Sequence, residues 1–169
     1  MNKTDSAGAP GRTAASAAGG IKSRAGSRAP KGFNPFADLM GLIVSRPRDG
    51  RCRASFTVVS DHHNPNRVVH GGSLYTMADT AMGAAIHSVL EKGLACATIE
   101  IKINYLKPVQ DGRVVCSAKV IQCGKRIAVV EADIRNHGNL VAKTLGTFAV
   151  IPRPPHGVPP VPPQDKASA

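Results

Sequence analysis

Tryptophan is absent from the 169 residues, and four phenylalanines with two tyrosines supply all the aromatic side chains. So small a set excludes an aromatic platform on which nucleobases could stack. No run reaches the roughly 18 uncharged apolar residues of a membrane helix. The nearest stretch, 71–90, is interrupted by Asp79 and His87, and a soluble protein is expected. The four cysteines, Cys52, Cys96, Cys116 and Cys123, form no C-x-x-C pair, which disfavours disulfide and zinc frameworks and points to a reducing cytoplasm. Acidic residues are scarce, 11 against 22 Lys and Arg. Residues 1–32 carry six basic side chains and one acidic, so much of the +11 net charge lies outside the segment able to form a core.

The length suits one domain with attachments, since domains usually span about 100–200 residues. Residues 1–32 are rich in Ala, Gly, Ser, Arg and Pro, with too few large side chains to repay the entropy of ordering. They read as a disordered basic tail. Their acid-poor composition resembles a transit peptide, but their glycines and prolines make a poor amphipathic helix. Residues 152–169 contain seven prolines, which remove backbone donors and favour extended chain, and they read as a second tail. The folded domain is expected over 33–151.

Within it, Phe33 to Leu39 suits a short helix, and Leu42 to Arg46 with Cys52 to Val59 suits a strand pair around Arg48-Asp49-Gly50. Leu74, Met77, Ala78, Ala81, Met82, Ala85, Ile86 and Val89 recur at helical spacing and predict one long buried helix over 72–90. Ile99, Ile101, Ile103 and Tyr105 alternate with polar neighbours, a strand pattern. Three more β-branched runs follow, 114–123, 127–134 and 140–151, separated by turns. Strands joined by short turns make an antiparallel sheet, and a lone apolar helix can bury itself only against that sheet. The predicted architecture is α+β, a long helix wrapped by a curved antiparallel sheet.

The segment Asn64 to Asp79 carries the chemistry. Gly71-Gly72 at a helix start leaves first-turn N–H groups open, and such groups can hold an oxyanion. Asp79, a carboxylate in a helix of apolar and small residues, can activate water or attack a carbonyl directly. Eight residues of helix separate the two by about 12 Å, so one chain cannot place both on one carbonyl. If both act, a second subunit must supply one of them.

Asn64-Pro65, His70-Gly71-Gly72 and Ala78-Asp79-Thr80-Ala81, with the later Asn104-Tyr105-Leu106-Lys107-Pro108, resemble the PaaI-like acyl-CoA thioesterases of the hotdog superfamily. Their pattern is N-P-x-G-x-x-H-G-G, L-A-D-x-A and N-Y-L-(R/K)-P. The resemblance spans residues 36–150 and departs at Arg67, where the family has glycine, so the loop is expected to bend differently. It implies that Asp79 is general base or nucleophile and that the Gly71 N–H polarises the thioester carbonyl. Asn64 would position water or thioester, Thr98 would hold the attacking water near Asp79, and His70 would brace the loop. Gly72, Lys125 and Arg126 would meet the coenzyme A part of the substrate. The protein would be a homodimer or homotetramer, with no membrane or nucleic-acid partner and no cofactor beyond the coenzyme A of its substrate.

Other readings compete. On helical periodicity alone Asp79 belongs to a solvated stripe with Thr76, Thr80, Gly83 and His87. His62 and His63 suggest a metal, but no third ligand stands at motif spacing, and they read as polar loop residues. Asp61 to Pro65 is similar to the hydratase motif D-x-N-P-x-H with the wrong spacing. A noncatalytic acyl-CoA sensor, or a nucleic-acid binder working through its tails, would explain the charge and leave Asp79 idle.

Overall fold

The protein is described here by a computed structural model over residues 34–154. The basic tail expected over 1–32, and all but the first residues of the proline-rich one, lie outside the described residues.

Asn34 starts the first helix, α1 (Pro35–Leu39), by accepting the Ala37 N–H at 3.1 Å, and Pro35 loses nothing at a position whose N–H has no helical partner. Strands β1 (Ile43–Val44) and β2 (Arg51–Thr57) form an antiparallel pair. Helix α2 (Gly71–His87) follows, then β3 (Leu94–Tyr105), β4 (Arg113–Cys123), β5 (Ile127–Asn136) and β6 (Asn139–Pro152). The strands form one sheet in the order β1-β2-β4-β5-β6-β3 with antiparallel pairing throughout. The sheet curls around α2, which packs on every strand from β2 to β6. This is the expected hotdog arrangement.

The core follows from the spacing of apolar residues on α2. Leu74, Met77, Ala78, Ala81, Met82, Ala85 and Ile86 are buried, against Phe56, Val114, Val130, Ile134 and Phe148 from the sheet. Val89 differs from the expectation. The helix stops at His87, the chain turns, and Val89 is exposed.

Strand β3 also differs. It begins at Leu94, ahead of the alternating run, and its register against β6 shifts between Thr98 and Glu100. Ile99 falls in that bulge, pairs with no β6 residue and is 57% exposed. A bulge inserts one residue and reverses which face the following side chains take. The alternation over Ile99 to Tyr105 is therefore broken at its first member.

His62 is not the polar loop residue its neighbours suggest. It lies in a one-turn 3-10 segment, Ser60–His62, and is 6% exposed. Its Nδ1 accepts the Val59 N–H at 3.1 Å, so its ring proton is on Nε2, which donates to the Met40 carbonyl at 3.2 Å. The ring packs on Phe56 with centroids 4.6 Å apart. This side chain ties the end of α1 to the loop that precedes α2. His62→Ala should leave a donor and an acceptor unpaired beside a small cavity and cost about 2–4 kcal/mol, read as a lower urea midpoint at unchanged m-value.

Candidate functional site

The chain reaches α2 through a loop that Asn64 builds. Its Oδ1 accepts the N–H groups of Asn66 at 2.9 Å and Val68 at 3.4 Å, while its backbone N–H donates to the Val68 carbonyl at 2.8 Å. The oxygen of Asn64 is committed to the turn, and only its amide nitrogen remains to meet a ligand. Arg67 has φ of 58°, in the left-handed region where glycine is at ease. The loop thus holds at Arg67 a backbone conformation that glycine adopts without strain.

His70 is the N-cap of α2. Its Nδ1 accepts the Gly72 N–H at 2.9 Å, which supports its role as a brace. An acceptor nitrogen carries no proton, so protonating Nδ1 would break this cap. Of the two glycine amides, that of Gly72 is therefore spent on His70. No acceptor among the described residues takes the Gly71 N–H. Close approach explains both glycines. A Cβ at Gly72 would stand 2.9 Å from His70 Nδ1, and one at Gly71 would stand 2.8 Å from the Tyr105 hydroxyl. That hydroxyl donates to the Gly71 carbonyl at 2.9 Å. Tyr105 thus holds the glycine in place, a role the sequence reading missed. The cue lay in the only polar-tipped aromatic of the β3 pattern.

Asp79 is half-buried on α2, and Thr98 Oγ1 donates to its Oδ1 at 2.7 Å. The bulge in β3 makes this contact possible. Thr98 pairs with the inward Phe148, and Ile101, three residues on, pairs with Gly146 on the same face. Unbroken alternation would have sent Thr98 outward with Glu100. The second carboxylate oxygen receives no hydrogen bond from the described residues. Asp79 and Thr98 line a groove of about 680 Å³ between α2 and the α1–β1 strip.

Cys96 lies in the same groove, 3.6 Å from His87 Nδ1. Burial first, and then the negative charge of Asp79, push its thiol up to about 11. It is protonated at neutral pH and offers no nucleophile. His87 Nδ1 donates to the Gly83 carbonyl at 2.8 Å. His63 Nε2 meets the Gln110 carbonyl at 2.8 Å, and Asp61, the acid a hydratase reading would use, is exposed and accepts from Ser60 Oγ at 3.1 Å.

The structure brings Asp79 and Thr98 together, and His70, Gly71 and Gly72 together in a second cluster at the start of α2, while Asn64 bonds within the loop that leads into it. Within one chain the clusters stand apart, because Gly71 and Asp79 are separated by eight residues of the same helix, about 12 Å. Lys125 and Arg126 form the exposed tip of the β4–β5 hairpin, which the Gly124 N–H closes on the Ile127 carbonyl at 2.8 Å. Neither touches either cluster.

Comparison with known proteins gives a consistent result. The family description "Thioesterase superfamily" matches residues 66–143. The Saccharolobus solfataricus protein named "Putative esterase SSO1253" is 32% identical over 114 residues, covering 67% of this chain and 75% of that protein. Thioesterase HI1161 from Haemophilus influenzae superposes with a TM-score of 0.68 at 29% identity, over 73% of this chain and 87% of that one. A mutant form of the phenylacetic acid degradation protein PaaI from Thermus thermophilus gives 0.64 at 27% identity, over 69% of this chain and 98% of that one.

The contact between Gly71 and Tyr105 gives a stability test. Gly71→Ala should cost about 1 kcal/mol with Tyr105 in place and less in a Tyr105→Ala background, a coupling that a double-mutant cycle of denaturant midpoints reads directly. Equal costs in the two backgrounds would show that the tyrosine does not constrain the glycine.

Proposed function

The chain belongs to the thioesterase superfamily and is a thioester hydrolase, and we propose that it hydrolyses acyl- or aryl-CoA thioesters with Asp79 as general base or nucleophile. The observation that carries this reading is the Asp79–Thr98 pair on the wall of a groove large enough for an acyl group. Thr98 fixes one carboxylate oxygen by a charge-assisted hydrogen bond and leaves the other to face the substrate.

The reaction needs few parts. Water loses a proton to Asp79 as its oxygen bonds to the thioester carbon, and the carbonyl oxygen gains negative charge. The open Gly71 N–H, at the positive end of α2, is suited to that charge. The carbon–sulfur bond then breaks and the thiol leaves with the proton that Asp79 took, giving free acid and coenzyme A. In the alternative route Asp79 itself bonds to the carbon, the thiolate departs, and water cleaves the resulting anhydride. Coenzyme A enters only as part of the substrate, and Lys125 and Arg126 are our candidates for its phosphates.

The separation of Gly71 from Asp79 supports a homodimer or homotetramer in which one subunit supplies the amide and the other the carboxylate. The sheet favours such an assembly. Strand β3 is an edge of 12 residues, and long unpaired edges invite another strand. No helix among the described residues is long and apolar enough to cross a membrane.

Free thiol release from a panel of short, long and aromatic acyl-CoAs tests the reading. Asp79→Ala, checked for wild-type unfolding behaviour, should lower kcat by roughly 10²–10⁴. Thr98→Val should lower it less, because it loosens the carboxylate without removing it. An Asp79→Ala protein with wild-type turnover would refute the role of Asp79. Binding of acyl-CoA without hydrolysis by the wild type would favour the sensor reading.

A further inference from the structure

Helix α2 contains three glycines, and only two are explained by what surrounds them. Gly71 and Gly72 face atoms within 3 Å of where a Cβ would stand, whereas a Cβ at Gly83 would meet nothing within 4 Å among the described residues. Gly83 also lacks the left-handed φ that would call for glycine. A glycine inside a helix costs about 1 kcal/mol relative to alanine. Neither backbone nor packing requires it there.

Gly83 lines the groove one turn beyond Asp79, and His87 lines it one turn further. From Asp79 to His87 the helix advances about 12 Å. The floor and inner walls along that path include Phe148, Leu42, Val44 and Ala84. The polar groups at its far end, Cys96 and His87, are partnered with each other and with the Gly83 carbonyl. The Cys96 thiol is protonated, and the His87 Nδ1 donor is spent on the Gly83 carbonyl. Asp38 and Arg46, at the α1–β1 side, are opposite in sign.

We propose that this groove holds the acyl part of the substrate, an unbranched and uncharged chain of medium length, and that Gly83 sets how long a chain it accepts. The proposal rests on Asp79 being the reacting carboxylate, since the chain must run from the thioester carbon beside Asp79 past Gly83. A side chain added at Gly83 would fill the channel without disturbing the core. A compact aryl group would occupy only the portion nearest Asp79.

The test compares kcat/KM for acetyl-, butanoyl-, octanoyl- and phenylacetyl-CoA in the wild type, Gly83→Ala and Gly83→Leu. The wild type should prefer octanoyl-CoA. Gly83→Leu should lower the octanoyl-to-acetyl ratio by about tenfold or more, the scale on which pockets discriminate a few methylenes. Gly83→Ala should shift the ratio in the same direction by less while unfolding at no lower temperature, and it carries the test if the leucine variant does not fold. An active wild type that prefers acetyl- or phenylacetyl-CoA, or variants that keep the wild-type ratio, would overturn this proposal and leave the thioesterase reading intact. A wild type that cleaves none of the four would overturn both.

Discussion

A helix enclosed by a sheet has little surface on which to carry a charge, and that constraint organises this protein. Most of α2 must be apolar because β2 to β6 surround it, and Met77, Ala78, Ala81, Met82, Ala85 and Ile86 are fully buried. What remains includes a stripe, Asp79, Thr80, Gly83 and His87, which lines the groove shared by α1, β1 and the sheet edge at β3. A carboxylate on that stripe stands beside an apolar groove with a single hydroxyl to orient it. The solvated-face and catalytic readings of the stripe therefore describe the same geometry. What separates them is the groove, which a merely solvated face would not need.

The start and the middle of α2 serve different tasks for reasons of backbone chemistry. Its first turn has N–H groups with no helical acceptor. One is taken by His70, and the neighbouring one is left open under Tyr105. Placing an open amide at a helix N-terminus gives it the favourable end of the dipole for developing negative charge. The carboxylate, eight residues on, is placed where the sheet edge can supply Thr98. Because neither cluster can move along the helix, a substrate that needs both amide and carboxylate would require a second subunit, and on our proposal the long edge strand β3 is where it would join.

The sequence made the architecture legible because its signals were periodic. Spacing of i, i+3 and i+4 marked the buried face of α2, and β-branched runs with glycine-bearing turns marked the strands. The misses share a cause, namely structure set by a single residue against a distant partner. Nothing local marks the bulge at Ile99, yet it turns Thr98 toward Asp79. Arg67 adopts a left-handed φ because Asn64 and Val68 close the loop around it. His62 looked like a loop residue because the Met40 carbonyl that receives its proton is 22 residues away. The site was legible through motif residues on one segment, Asn64 to Asp79, while its supports, Tyr105 and the groove walls, come from elements that only folding brings near.

The central claim is that a working site takes its amide from one chain and its carboxylate from another. The most direct measurement mixes two proteins expected to be inactive alone, a Gly71→Pro chain, which loses the amide N–H at a first helical position that accommodates proline, and an Asp79→Ala chain, under conditions where subunit exchange is confirmed by mass. The account predicts that turnover returns on mixing, because each mixed pair rebuilds one site with an intact Gly71 and an intact Asp79. No recovery despite demonstrated exchange, or full activity in a wild-type monomer, would contradict it.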